Sequence, residues 1–148
     1  MDRIDNTLLS PLLGDSLRET RGDFFIGFLN KLEGWKTKCK NLHWAAENIN
    51  THIYLDGFLT VISDYQDGLA EGFMGILGKM RPDVISGVKC NANTAIDFIN
   101  EVREGTLSFY NQLSQEAIYK GISSECELFI QNITKYTYLL KLCHNNTY

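Results

Sequence analysis

Residues 24–44 read FFIGFLNKLEGWKTKCKNLHW. Within them Phe25, Phe28, Leu29, Leu32, Trp35, Cys39 and Leu42 recur three and four apart, the spacing that gathers apolar side chains on one face of an α-helix. No proline falls between Pro11 and Pro82, so that helix breaker is absent from the intervening chain. The stripe predicts a first helix from about Asp15 to Ala46. An apolar lead-in (Leu8, Leu9, Leu12, Leu13) precedes it, and a break follows at Glu47-Asn48-Ile49-Asn50.

Working outward, Thr51 is a candidate cap for a second helix reaching about Lys79, with Leu55, Leu59, Ile62, Leu69 and Met74 facing inward. Gly57, Gly68, Gly72 and Gly75 each cost such a helix about 1 kcal/mol against alanine, and they allow a neighbouring backbone to come close. Met80 to Asn93 contains Pro82 and Gly87 and reads as a connection. Thr94 caps a third helix to about Lys120, with Ile96, Ile99, Val102, Leu107, Tyr110 and Leu113 inward. Gly121 interrupts, and Ser123 or Ser124 opens a fourth helix carrying Phe129, Ile130, Ile133, Tyr136, Leu140 and Cys143 at helical spacing. Alternating strand patterns are absent. The expectation is an all-α single domain over residues 1–148, a four-helix bundle with one longer connection between the second and third helices.

Composition narrows the function classes. With 148 residues, 44% apolar and only two prolines, the chain is neither a disordered tail nor a repeat or linker protein. A formal charge of −4 argues against nucleic-acid binding through a basic face, which depends on neutralising phosphates. No apolar run approaches a membrane span, and Met1-Asp2-Arg3-Ile4-Asp5 lacks the basic-then-apolar order of a secretory signal, so a cytoplasmic location is expected. Cys39, Cys90, Cys126 and Cys143 lie far apart, without CxxC or zinc-like spacing, and are expected as reduced thiols. On that reading the sequons at Asn132 and Asn145 are not glycosylation sites. Lys36, Lys38 and Lys40 read as a solvated helix face.

The chemistry centres on His43 and His52, two of only three histidines; His144, near the carboxyl end, is assigned nothing. His52 and Asp56 are four apart and share a helix face, and Asp67 and Glu71 repeat the spacing on the same helix. At about 100° per residue all four fall on one stripe, yet Asp56 and Asp67 stand about 16 Å apart along the axis. One chain therefore cannot bring both to one metal ion. Two copies of this helix meeting antiparallel about a two-fold axis near residues 61 and 62 can, because 52 then lies opposite 71 and 56 opposite 67. Each of two equivalent sites would gather His52 and Asp56 from one subunit and Asp67 and Glu71 from its mate. With His43 reaching in from the first helix, each site holds two imidazoles and three carboxylates, a donor set suited to iron(II), manganese or zinc.

The same residues carry a resemblance to the Dps mini-ferritins, which protect starved cells. The matching stretches are Lys40-Asn41-Leu42-His43-Trp44, His52-Ile53-Tyr54-Leu55-Asp56-Gly57-Phe58 and Asp67-Gly68-Leu69-Ala70-Glu71, spread over about 35 residues of chain, with the helix layout extending the likeness more loosely. The resemblance implies a ferritin-like bundle in which His43, His52 and Asp56 come from one subunit and Asp67 and Glu71 from its two-fold mate. It further implies a hollow dodecamer built from such dimers, where iron(II) is oxidised by hydrogen peroxide or oxygen and stored as ferric mineral. Trp44 then has two readings, a core aromatic or a ring beside the site that quenches oxidising species.

The chain departs from the family pattern in three places. The turn between His43 and His52 is shorter than usual and lacks the glycine expected there, with Asn48 and Asn50 nearby instead. Gly72 stands where an arginine usually follows the last glutamate. The lysine-rich tail through which many members bind DNA is missing, and DNA compaction is disfavoured. Larger ferritins use an E-x-x-H motif within one subunit, which this chain does not contain. A metal-free reading is a structural or interaction protein that keeps the bundle. Because ligation needs neutral imidazoles and ionised carboxylates, metal binding should weaken as pH falls.

Overall fold

The structure, a computed structural model, describes residues 11–145, with side chains described from Thr20 to His144. Leu8 and Leu9 lie outside this range. Four helices account for most of it: α1 (Pro11–Ala45), α2 (Ile49–Leu77), α3 (Ala95–Asn111) and α4 (Lys120–Asn145), with a single 3₁₀ turn (Ala117–Tyr119) leading into α4. No strand occurs among the described residues.

Side-chain pairs give the helix directions. Cys39 meets the backbone of Leu55 and Phe25 stacks on Phe73, so α1 and α2 run antiparallel. Phe28 stacks on Phe109 while Trp35 Nε1 donates to Glu101, so α3 is antiparallel to α1 as well. Phe58 meets Tyr136 and Tyr65 stacks on Phe129, which makes α4 antiparallel to α2. α2 packs between α1 and α4, and α3 completes the ring against α4 and, less extensively, α1. It follows that α2 and α3 are parallel and diagonal, and the chain between them has to travel the length of the bundle.

That connection lies along α1 and is held by one side chain. Asn30 Oδ1 accepts hydrogen bonds from the Ser86 and Gly87 amides, and its Nδ2 donates to the Val84 carbonyl. The Val88 amide donates to the Asn30 carbonyl at 2.9 Å. A Cβ at Gly34 would stand 1.6 Å from the Val88 carbonyl oxygen, so only glycine admits the strap here.

The core follows the anticipated stripes on three helices. Phe25, Phe28, Leu29, Leu32, Trp35 and Cys39 of α1 are buried, as are Leu55, Ile62 and Leu69 of α2 and Phe129, Ile133 and Leu140 of α4. α3 differs. Its buried residues are Phe98, Ile99, Val102, Thr106 and Phe109, while Leu107 is 38% exposed, because Gly105 beside Trp35 sets which face approaches α1.

Several boundaries move as well. Thr94 caps α3 as expected, its hydroxyl accepting from the Asp97 amide. But α3 ends at Asn111 rather than near Lys120. The chain turns at Ser114, whose hydroxyl accepts from the Glu116 amide, and tucks Tyr119 into the core. Gly121 therefore lies in the first turn of α4 and interrupts nothing. α2 ends at Leu77, before the expected Lys79, where Gly78 with a φ of 102° closes the helix. Gly57, Gly68 and Gly72 all face α4, against Tyr136, Glu125 and Ile122 respectively.

None of the four cysteines is paired, and Cys39, Cys90 and Cys126 are buried. No helix among the described residues is long and apolar enough to cross a membrane.

Candidate metal centre

Only Ala46, Glu47 and Asn48 separate α1 from α2. Asn48, in extended backbone conformation, is the cap of α2: its Oδ1 accepts from the Asn50 amide at 2.8 Å and the Thr51 amide at 3.2 Å. Its carbonyl accepts from the His52 amide at 3.0 Å. The expected cap, Thr51, is instead a residue within the first turn.

So short a turn presses the end of α1 onto the start of α2, and the two histidines clasp each other. His43 Nδ1 lies 2.7 Å from the His52 carbonyl oxygen, and His52 Nδ1 lies 2.8 Å from the His43 carbonyl oxygen. The rings stack with centroids 3.9 Å apart. A carbonyl oxygen only accepts, so each Nδ1 must carry the proton and donate. In the neutral state each Nε2 is then left with its lone pair. Oriented imidazoles of this kind, with one nitrogen bonded to a backbone carbonyl, are the arrangement that metal-ligating histidines adopt. The His43 carbonyl can serve because it belongs to the last turn of α1, where it lacks an i+4 partner and accepts from the backbone only a long 3.4 Å contact, with the Ala46 amide.

Asp56 lies beside His43. Its Oδ1 lies 3.9 Å from His43 Nε2, and its side chain is 68% exposed. That separation is too long for a hydrogen bond and within the roughly 4 Å spanned by a nitrogen and an oxygen that each sit about 2 Å from a shared ion. His43 thus lies beside both His52 and Asp56, without the three forming a group that could hold a metal ion.

Asp67 and Glu71 are not part of this group. Both are exposed on α2, on the outward stripe Ile53, Asp56, Thr60, Asp64, Asp67, Glu71 and Gly75. At 1.5 Å per residue they stand about 16 and 22 Å beyond Asp56 along the axis. Among the described residues of one chain, no three His, Cys, Asp or Glu side chains form a group that could hold a metal ion.

Around the cluster, Trp44 is 70% exposed, which excludes the reading of it as a core aromatic; it projects from the last turn of α1, away from the packed face. Ile49 and Ile53 are also exposed, at 66% and 54%, so apolar surface flanks the histidine pair. On the α1–α2 seam, Gln66 Nε2 donates to Glu33 and Lys36 Nζ donates to Gln66 Oε1. The Gln66 hydrogen bond, aided by nearby Lys36, holds the Glu33 carboxyl below its ordinary value. Lys36 is therefore engaged with α2 and does not belong to a purely solvated run.

Asn48 is the helix cap that sequence reasoning passed over. Its signal was present, since asparagine is among the strongest helix caps, but Thr51 competed with it three positions on.

Comparison of the chain with protein-family models, curated proteins and solved structures finds no match in any of the three.

Proposed function

We propose that this protein is a Dps-like ferroxidase and iron store, with iron(II) as its substrate bound between two copies of the chain. The observation that carries the reading is the histidine clasp: two imidazoles locked through Nδ1, with an exposed carboxylate 3.9 Å from one free Nε2. Such a cluster has too few ligands to hold iron on its own, and the remaining carboxylates lie on the same face of the same helix. A second copy docked antiparallel on α2 supplies Asp67 and Glu71 opposite His52 and Asp56, giving two equivalent centres per dimer. The bundle order supports the same reading, since a single long crossover between diagonal, parallel helices is the ferritin-like connection. A dodecameric shell and ferric mineral storage are part of the proposal through the family resemblance.

In this scheme His43 and His52 bind through Nε2, and Asp56 with the mate's Asp67 and Glu71 offset the positive charge that grows as iron(II) becomes iron(III). Peroxide takes two electrons, one from each of two iron(II) ions, or oxygen serves as acceptor. Imidazole with hard carboxylate oxygens suits iron(II), and manganese or zinc can compete.

The exposed Trp44, Ile49 and Ile53 favour self-assembly whether or not metal is involved, so the structural-protein alternative is separated by chemistry. Anaerobic iron(II) followed by hydrogen peroxide should give a rapid rise in ferric absorbance with the native chain. The doubly substituted His52→Ala, Asp56→Ala chain should lose it. Equal traces would remove the ferroxidase reading and leave an assembling bundle.

A further inference from the structure

The two imidazoles do not orient themselves. Each is held by a carbonyl of the other helix, so the clasp exists only while the last turn of α1 and the first turn of α2 keep their relative position. Three hydrogen bonds fix the first turn of α2, and all three end on Asn48. Its side chain accepts from Asn50 and Thr51, and its carbonyl accepts from the amide of His52 itself. On the other side, the Ala46 amide contacts the His43 carbonyl at 3.4 Å, closing the turn back onto α1. No glycine relieves the turn, and Asn48 is extended, so the side-chain cap is the device that reverses the chain within three residues.

We propose that Asn48 is the positioning residue of the half-site: by capping α2 it sets the distance between the His43 and His52 carbonyls, and thereby commits both rings to the Nδ1-protonated tautomer, with the lone pair on Nε2. The inference rests on the metal reading only for its purpose. The geometry it describes exists in the metal-free single chain. Asn48's side-chain hydrogen bonds go to the amides of Asn50 and Thr51 and to neither ring. Its effect passes through the backbone.

The test begins with the native protein free of metal. Long-range proton–nitrogen correlation spectra of the imidazoles report the tautomer directly, and both His43 and His52 should be protonated at Nδ1. Asn48→Ala should mix the tautomers, whereas Asn48→Asp, which retains a capping oxygen, should restore the native pattern. Cobalt(II), used as a coloured probe, should bind Asn48→Ala about 10–100-fold more weakly than the native chain, with recovery in Asn48→Asp. If Asn48→Ala fails to fold, Asn48→Gly keeps a tolerated cap residue without the side-chain oxygen and should show the same mixed tautomers.

The failures can be told apart. A native protein with either ring protonated at Nε2, or a folded Asn48→Ala chain with native tautomers and undiminished cobalt affinity, overturns the positioning role and leaves the metal reading standing. Tautomers that depend on Asn48 in a protein that binds no cobalt support the positioning role and remove the metal reading.

Discussion

Each end of α2 bears a pair of candidate ligands four residues apart, and the two ends are built in opposite ways. At the amino end, His52 is clasped to His43, Cys39 Sγ lies 3.2 Å from the Leu55 carbonyl as a donor, and Asn48 caps the helix. At the carboxyl end, Asp67 and Glu71 stand in solvent on a stripe that includes Asp64. One end is organised within the chain; the other presents charge outward. On the proposed reading that asymmetry suits a centre divided between two copies, because paired imidazoles need aiming in advance whereas carboxylates on a rigid helix are aimed by docking alone.

The contrast is sharpest in stability. Leu55 is fully buried beneath the clasp, and Leu55→Ala should destabilise the fold by about 2–5 kcal/mol in urea unfolding. Asp67→Ala, on the open half, should stay within about 0.5 kcal/mol of the native chain. Similar losses for the two would erase the distinction.

Alkaline pH offers a smaller effect aimed at the organised half. Burial pushes the Cys39 thiol up to about 12, and the Cys126 thiol to about 11. Below the ordinary thiol range both states keep their protons and nothing is lost. As pH rises past it, the unfolded chain ionises first, and by pH 10 each thiol should cost the fold about 1 kcal/mol. Cys39→Ser and Cys126→Ser chains compared by thermal melts between pH 8 and 10 check the slope. A flat profile in the native protein would contradict the burial.

Smaller again is a glycine comparison along the helix. Gly75 has open space around a built Cβ, so Gly75→Ala should stabilise the isolated chain by up to about 1 kcal/mol. Gly57 faces the Tyr136 hydroxyl, which a Cβ would approach to 2.7 Å, so Gly57→Ala should gain less or lose stability. Reversal of that order would mean the α2–α4 packing differs from the one described.

Much of this was legible in the sequence because helical periodicity and ligand spacing are local signals. The α1 stripe from Phe25 to Cys39 and the faces of His52, Asp56, Asp67 and Glu71 follow directly from 3.6 residues per turn. What escaped depended on tertiary context. Leu107 fits a helical stripe as well as Thr106 does, and the packing of α3 against α4 and α1, with Gly105 against Trp35, decides which turns inward. Trp44 looks like core by composition, yet α1 ends one residue later and leaves it no opposing surface. Ser114 and Tyr119 end α3 early through a hydroxyl bond and a buried ring that no periodicity announces. Asn48 was hidden by a rival cap, and the short turn that it closes gave no sign of the histidine clasp beside it.

The central claim is that one chain owns half of each centre, and subunit mixing tests it most directly. The His52→Ala, Asp56→Ala chain and an Asp67→Ala, Glu71→Ala chain should each fail to oxidise iron(II) rapidly. Unfolded and reassembled together in equal amounts, they should regain about a quarter of the native rate, because half the dimers are mixed and each mixed dimer has one intact site of two. Two inactive chains that stay inactive when mixed, although they assemble together, would contradict the account.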